Sequence, residues 1–124
     1  MFIPIWVGPS EADAIAIKLQ KVSLPRPLTH DLVVSLLESL SISIEYVLIE
    51  SMKDETFFAK IAIKNNDKIV MIDSRASDAI ALAVRVTCPI YANDDVVEKV
   101  SVTLDHKNET VNKNISFVVS LFRV

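Results

Sequence analysis

Glycine occurs once in the 124 residues, at Gly8, so neither a Walker phosphate loop nor a dinucleotide-binding fingerprint can be built from this chain, and no nucleotide cofactor of those types is expected. Cysteine also occurs once, at Cys88, and histidine twice, at His30 and His106. That inventory excludes an intramolecular disulfide and the usual structural zinc sets. Cys88 lies between a helical pattern and a short apolar run and reads as a core thiol rather than a reactive nucleophile. Basic charge is not in excess either: 13 Lys and Arg against 16 Asp and Glu leave a net charge of −3. This argues against broad, charge-driven nucleic-acid binding, so any phosphate site must be local. No apolar run approaches the roughly 18 residues of a membrane helix, although 51% of the chain is hydrophobic and the mean hydropathy is +0.38. The surplus is assigned to buried strands and to a subunit interface, with a homodimer expected. Residues 1–7 are apolar, but they lack a basic flank and are interrupted by Pro4, unlike a signal peptide. The expectation is a cytoplasmic protein with no membrane association. Internal repeats and low-complexity tracts are missing as well.

What is present is organised around Lys68-Ile-Val-Met-Ile-Asp-Ser-Arg-Ala-Ser-Asp-Ala-Ile-Ala-Leu-Ala-Val-Arg85. Ile69 to Ile72 has strand length, and Ala79, Ile80, Leu82, Ala83 and Val86 then recur at the spacing of a helix that buries one face. Between them, Asp73 to Ser77 reads as a polar turn in which Ser74 or Ser77 caps the helix and Asp78 faces the positive end of its dipole. Asp73, Arg75 and Asp78 therefore collect at a strand end, a usual place for a site in a layered α/β arrangement.

The other elements follow the same logic. Phe2 to Val7 predicts a strand, with Pro4 implying an edge or a strand start. Gly8 to Glu11 predicts a turn and a helix start, followed by the apolar face Ala12, Ile15, Ala16 and Leu19. Two prolines stiffen Leu24 to Asp31. Thr29 is the expected N-cap of a second helix, Asp31 its first-turn acid, and Leu32, Val33, Leu36, Leu37 and Leu40 its apolar positions. Ser43 to Glu50 and Thr56 to Lys64 predict a hairpin, and Asn65-Asn66-Asp67 turns the chain into the next strand to give an antiparallel meander. Cys88 to Ala92 is a short extended segment, Asn93 opens a brief helix to about Val100, and residues 101–124 are a tail that is either disordered or adds a docking strand. The expected fold is α+β: one compact domain over residues 1–100, with a mixed, mainly antiparallel sheet and three main helices.

Ile3-Pro-Ile-Trp-Val-Gly8, Glu11-Ala-Asp-Ala-Ile-Ala, Arg26-Pro-Leu-Thr-His-Asp31, Thr56-Phe-Phe-Ala59 and Asp73-Ser-Arg-Ala-Ser-Asp-Ala-Ile-Ala-Leu-Ala83 together resemble the bifunctional nuclease domain family, also catalogued as a domain of unknown function. The likeness covers roughly residues 2 to 100. It implies a compact domain that self-associates, with DNase and RNase activity attributed to some members. Two departures stand out. Members usually carry about two further strands before the segment matching Phe2, and they usually have Pro where this chain has Ala76.

The residues admit two functional classes. In a phosphodiesterase, Glu11, Asp73 and Asp78 would gather Mg2+ or Mn2+, the cations that oxygen ligands suit, and His30 would move protons. Arg26 and Arg75 would hold the phosphate of a DNA or RNA substrate. Catalysis would then rest on His30, Asp73, Asp78 and Glu11. In a non-catalytic oligomeric module, the same polar face would recognise a small anion or a protein partner. Capping alone also accounts for every one of the acids. The functional readings share one geometric requirement, that three helix starts open onto a single polar depression.

Overall fold

The strand and helix patterns resolve, in a computed structural model, into an α+β arrangement that describes residues 2–6, 9–21, 23–54, 56–96, 116–120 and 122–123, with side chains described only within residues 12–96. In chain order the elements are β1 (Phe2–Trp6), α1 (Pro9–Leu19), α2 (Thr29–Ser39), β2 (Ser43–Lys53), β3 (Thr56–Asn65), β4 (Lys68–Arg75), α3 (Ala76–Val86), β5 (Ile90–Ala92), β6 (Ser116–Ser120) and β7 (Phe122–Arg123). Five strands form one sheet in the order β4-β3-β2-β5-β7, and β1 pairs antiparallel with β6 in a separate ribbon. β2, β3 and β4 make the expected antiparallel meander, whereas β5 joins β2 in parallel after the α3 crossover. Helical backbone resumes at 94–96, and the rest of the brief helix expected to Val100 lies outside the described residues.

Tight turns are made almost without glycine. Lys21, Ser41, Asp54, Asn66, Asp67 and Thr87 all sit at positive φ, a region that costs a residue with a Cβ roughly 1–2 kcal/mol. Asn66 and Asp67 form the two-residue loop between β3 and β4, where consecutive positive φ values match the strand twist. Thr87 ends α3 in the left-handed conformation and donates its N–H to the Ala83 carbonyl at 2.8 Å.

The core lies between α3 and one face of β2 and β3. Ala79, Ile80 and Ala83 of α3 meet Val47 and Ile49 of β2 and Ala59 and Ile61 of β3, with Ala12 and Ile15 of α1 closing one side. The small residues of α3 let its backbone lie close to the sheet, so α3 contacts β2, β3 and β4 as well as α1 and α2. On the opposite sheet face Tyr46 and Tyr91 pack edge to face at 5.5 Å, and the Tyr46 hydroxyl donates to the Met71 sulfur at 3.9 Å.

Three sequence expectations change here. β4 does not stop at Ile72 but runs to Arg75 and passes directly into α3 at Ala76, so Asp73 and Arg75 belong to a strand rather than a polar turn. The N-cap of α3 is Arg75, without a side-chain cap, while Ser74 donates its hydroxyl to the Arg75 carbonyl and Ser77 is buried. Ala76 thus occupies the first helical position, where proline is also well tolerated. The apolar face of α2 is also displaced: of the expected positions Val33 packs against the core, joined by Val34, whereas Leu32, Leu36 and Leu40 are 51–68% exposed. The tail, for its part, supplies β6 to β1 and β7 to β5.

Candidate functional site

α1, α2 and α3 meet at the start of α2, and the contact is set by a buried arginine. The Arg85 side chain is only 3% exposed; its Nε donates to Asp31 Oδ1 at 2.7 Å, and its terminal nitrogens donate to the carbonyls of Ala81 at 2.8 Å and Ala14 at 3.2 Å. One guanidinium therefore ties together all three helices, a task its planar fork of five donors performs and a lysine cannot. The second oxygen of Asp31 accepts the Leu28 N–H at 2.9 Å. Leu28 is the N-cap residue, which corrects the expectation for Thr29: the first-turn acid reaches back to the N–H that begins the helix, so Thr29 enters as a helical residue. The Leu28 hydrogen bond holds the Asp31 carboxyl below its ordinary range; burial, the next largest effect, opposes it, and the bond and charge of Arg85 add to the lowering.

With α2 fixed in this way, His30 faces α3. Its Nε2 lies 2.9 Å from Asp78 Oδ1, the imidazole 16% and the carboxylate 43% exposed. A carboxylate acceptor selects the tautomer with hydrogen on Nε2 and leaves Nδ1 as the proton acceptor of the neutral ring. Both groups line an open depression of about 370 Å3 together with Asp13, Ala14 and Ile17 of α1 and Leu28 and Thr29. The lining thus combines apolar side chains with two acids and an imidazole. No Lys or Arg is among these lining residues.

The expected site residues thus separate. His30 and Asp78 come together. Asp73 does not join them: it stands opposite Lys60 in the β3–β4 register and receives its ammonium at 3.5 Å. Lys60 points away from the face that buries Ala59 and Ile61, so the sheet lies between Asp73 and the helices. The polar turn inferred from sequence would have freed Asp73 to swing toward Asp78, and the strand pairing forbids it. Arg75 is exposed at the end of the same strand, and Arg26 is exposed before α2 without an ion pair to any described residue. Glu11 lies in the first turns of α1, and its side chain is outside the described residues.

Among the described residues no three His, Cys, Asp or Glu side chains gather so as to hold an ion, and Asp73 and Asp78 in particular cannot share one. The Cys88 thiol is partly buried, and loss of hydration pushes its ionisation upward, as suits an unreactive thiol. Two residues escaped the sequence reading. Asp13 offered no signal beyond its place on the polar side of α1. Arg85 did offer one, as a cation inside Ala81-Leu-Ala-Val-Arg-Val86, where every neighbour is small or apolar and a charge must find buried partners.

Comparison with known proteins places these motifs in context. The model of the bifunctional nuclease domain matches residues 1–105. An uncharacterized protein of Mycobacterium tuberculosis is 38% identical over 108 residues, covering 87% of this chain and 64% of its own length. Bifunctional nuclease 1 of Oryza sativa subsp. japonica and the bifunctional nuclease of Oryza minuta are each 25% identical over 96 residues, covering 75% of this chain and 29% of theirs. The chain therefore spans less than two thirds of the length of these relatives.

Proposed function

The chain belongs to the bifunctional nuclease domain family, and from that premise we propose that it hydrolyses phosphodiester bonds in DNA or RNA with the His30–Asp78 pair as its proton carrier. The observation that supports this reading is the 2.9 Å contact between the two side chains, both of which line the depression. An imidazole oriented by a carboxylate takes a proton at Nδ1 from an attacking water or ribose hydroxyl and returns it to the leaving oxygen, a contribution of about 10²–10⁴-fold. Arg26, exposed on the connector two residues before Leu28, is the cation best placed along the chain to meet a phosphate. Arg75 follows the sheet edge instead.

Hydrolysis of single- and double-stranded DNA and RNA by the purified protein tests the proposal, with Mg2+, with Mn2+ and with EDTA, because a hard cation is the partner that oxygen donors would prefer. His30→Ala and Asp78→Asn are each expected to lower the rate by about 10²-fold or more, whereas Asp73→Asn leaves it within about twofold because the sheet separates Asp73 from the pair. Equal rates in all three variants and the parent would assign the activity to a contaminant. A non-catalytic binding module is favoured by a different observation, the absence of Lys and Arg among the described residues that line the depression. That reading prevails if the protein cleaves nothing under any of these conditions yet a protein partner is lost on His30→Ala.

A further inference from the structure

β4 is the outermost strand of the five-stranded sheet, and no described residue pairs with its outer edge. All of its residues but Ser74 are exposed, including Ile69, Val70, Met71 and Ile72 in a row at 40–49%. Four consecutive large apolar side chains on an eight-residue open edge are the pattern that soluble proteins otherwise suppress with charge, proline or bulges. The β3–β4 register is regular from Phe58↔Arg75 to Asn65↔Lys68, so no bulge twists this edge away.

The hairpin determines which backbone groups are free. A two-residue loop at Asn66 and Asp67 makes Asn65 and Lys68 a hydrogen-bonded pair, and pairing alternates from there. Val70 and Ile72 therefore spend their N–H and C=O groups on β3, and Ile69, Met71 and Asp73 turn theirs outward. From these groups we infer that β4 pairs antiparallel with β4 of a second copy of this chain, around a twofold axis at Met71. Symmetry requires that facing residues add to an even number, because an odd sum would put the two side chains of a pair on opposite faces of the sheet. With the axis at Met71, the outward groups of Met71 meet those of its twin, and Ile69 bonds reciprocally with Asp73 of the second copy. Val70 then lies beside Ile72 on the helix-covered face and extends the core across the axis. Charge selects this register over its neighbour: Asp67 approaches Arg75 of the other copy, whereas an axis at Val70 would set Asp67 against Asp73. A second copy also fits better than an unrelated extended peptide, since the edge is self-complementary in both hydrogen bonds and charge.

A single added strand is a small interface against the roughly 800 Å2 per partner of a stable complex. The dimer is therefore expected to form at chain concentrations on the order of 10–100 μM. Sedimentation across that range should show a shift from the 13.8 kDa chain to twice that mass. Arg75→Glu or Asp67→Lys alone should raise the dissociation constant about tenfold, and the double exchange should restore it; Lys21 shows that lysine is accepted at positive φ in this chain. In a Cys88→Ser background, Met71→Cys should form a disulfide-linked dimer on mild oxidation, because facing Cα atoms about 5.5 Å apart suit the bond, and Val70→Cys should not. A protein that stays monomeric at 100 μM overturns the inference, as does a dimer indifferent to the charge exchange or one that cross-links through Val70→Cys alone. None of these readouts involves hydrolysis, so the interface and the nuclease reading fail separately.

Discussion

At the scale of single residues, Asp31 links stability to the geometry of the His30–Asp78 pair. Its carboxylate accepts the Leu28 N–H and faces the nearly buried Arg85 guanidinium, so its charged form is favoured in the folded chain and its ionisation is lowered, first by the Leu28 bond and then by Arg85. A carboxyl lowered on folding stabilises the protein fully above its unfolded value, near 3.8, and that contribution is lost as the pH falls through the folded value. Asp31→Ala removes the acceptor and leaves Arg85 with carbonyls alone. The expected cost at pH 7 is about 1–2 kcal/mol, discounted from a fully buried pair because Asp31 is 37% exposed. Urea titrations should show this gap between parent and variant at pH 7 and a smaller one below pH 4. A gap that stays constant would mean that Asp31 acts through shape and not through charge.

At the scale of elements, helical spacing and helical burial come apart. Leucine periodicity identified α2, yet the leucines at 32, 36 and 40 face out while Val33 and Val34 face in, because Arg85 fixes the rotation of α2 through Asp31. Spacing reports that a face exists; an ion pair to a nearly buried arginine of another helix decides where the face points. Leu36→Ala should therefore change stability by no more than about 0.5 kcal/mol, whereas Ile80→Ala, at 2% exposure in α3, should cost about 2–5 kcal/mol. A Leu36 variant as damaging as the Ile80 variant would refute the rotation. The meander, the three helices and the short strand after Cys88 were legible because each carries its own period and turn residues. β4 was legible as a strand but not as an exposed edge, since Ile-Val-Met-Ile is the pattern of a buried strand as much as of an interface. Likewise His30 and Asp78 were recognisable as candidates, but neither the strand extension that removes Asp73 nor the arginine that positions α2 is encoded in local spacing.

At the scale of the whole molecule, the net charge of −3 limits how a nucleic acid can be held. Each neutralised phosphate on a single strand contributes about −0.7 to the slope of log affinity against log salt. Arg26 and Arg75 are the two arginines that the sequence pattern offers to a phosphate, Arg26 before α2 and Arg75 at the end of edge strand β4. If both engage, the slope is about −1.4; if the β4 edge is covered by a second copy, Arg75 turns to Asp67 and the slope falls to about −0.7. Dimerisation also doubles the negative charge, so it adds repulsion rather than a basic groove. Fluorescence anisotropy with a labelled oligonucleotide between 50 and 200 mM salt, below and above the dimerisation range, should therefore give shallow slopes that become shallower with protein concentration. A slope steeper than about −3 would require more cations than the two arginines supply, such as the exposed Lys18, Lys21, Lys53, Lys64 and Lys68, and would extend the recognition surface beyond the His30–Asp78 depression.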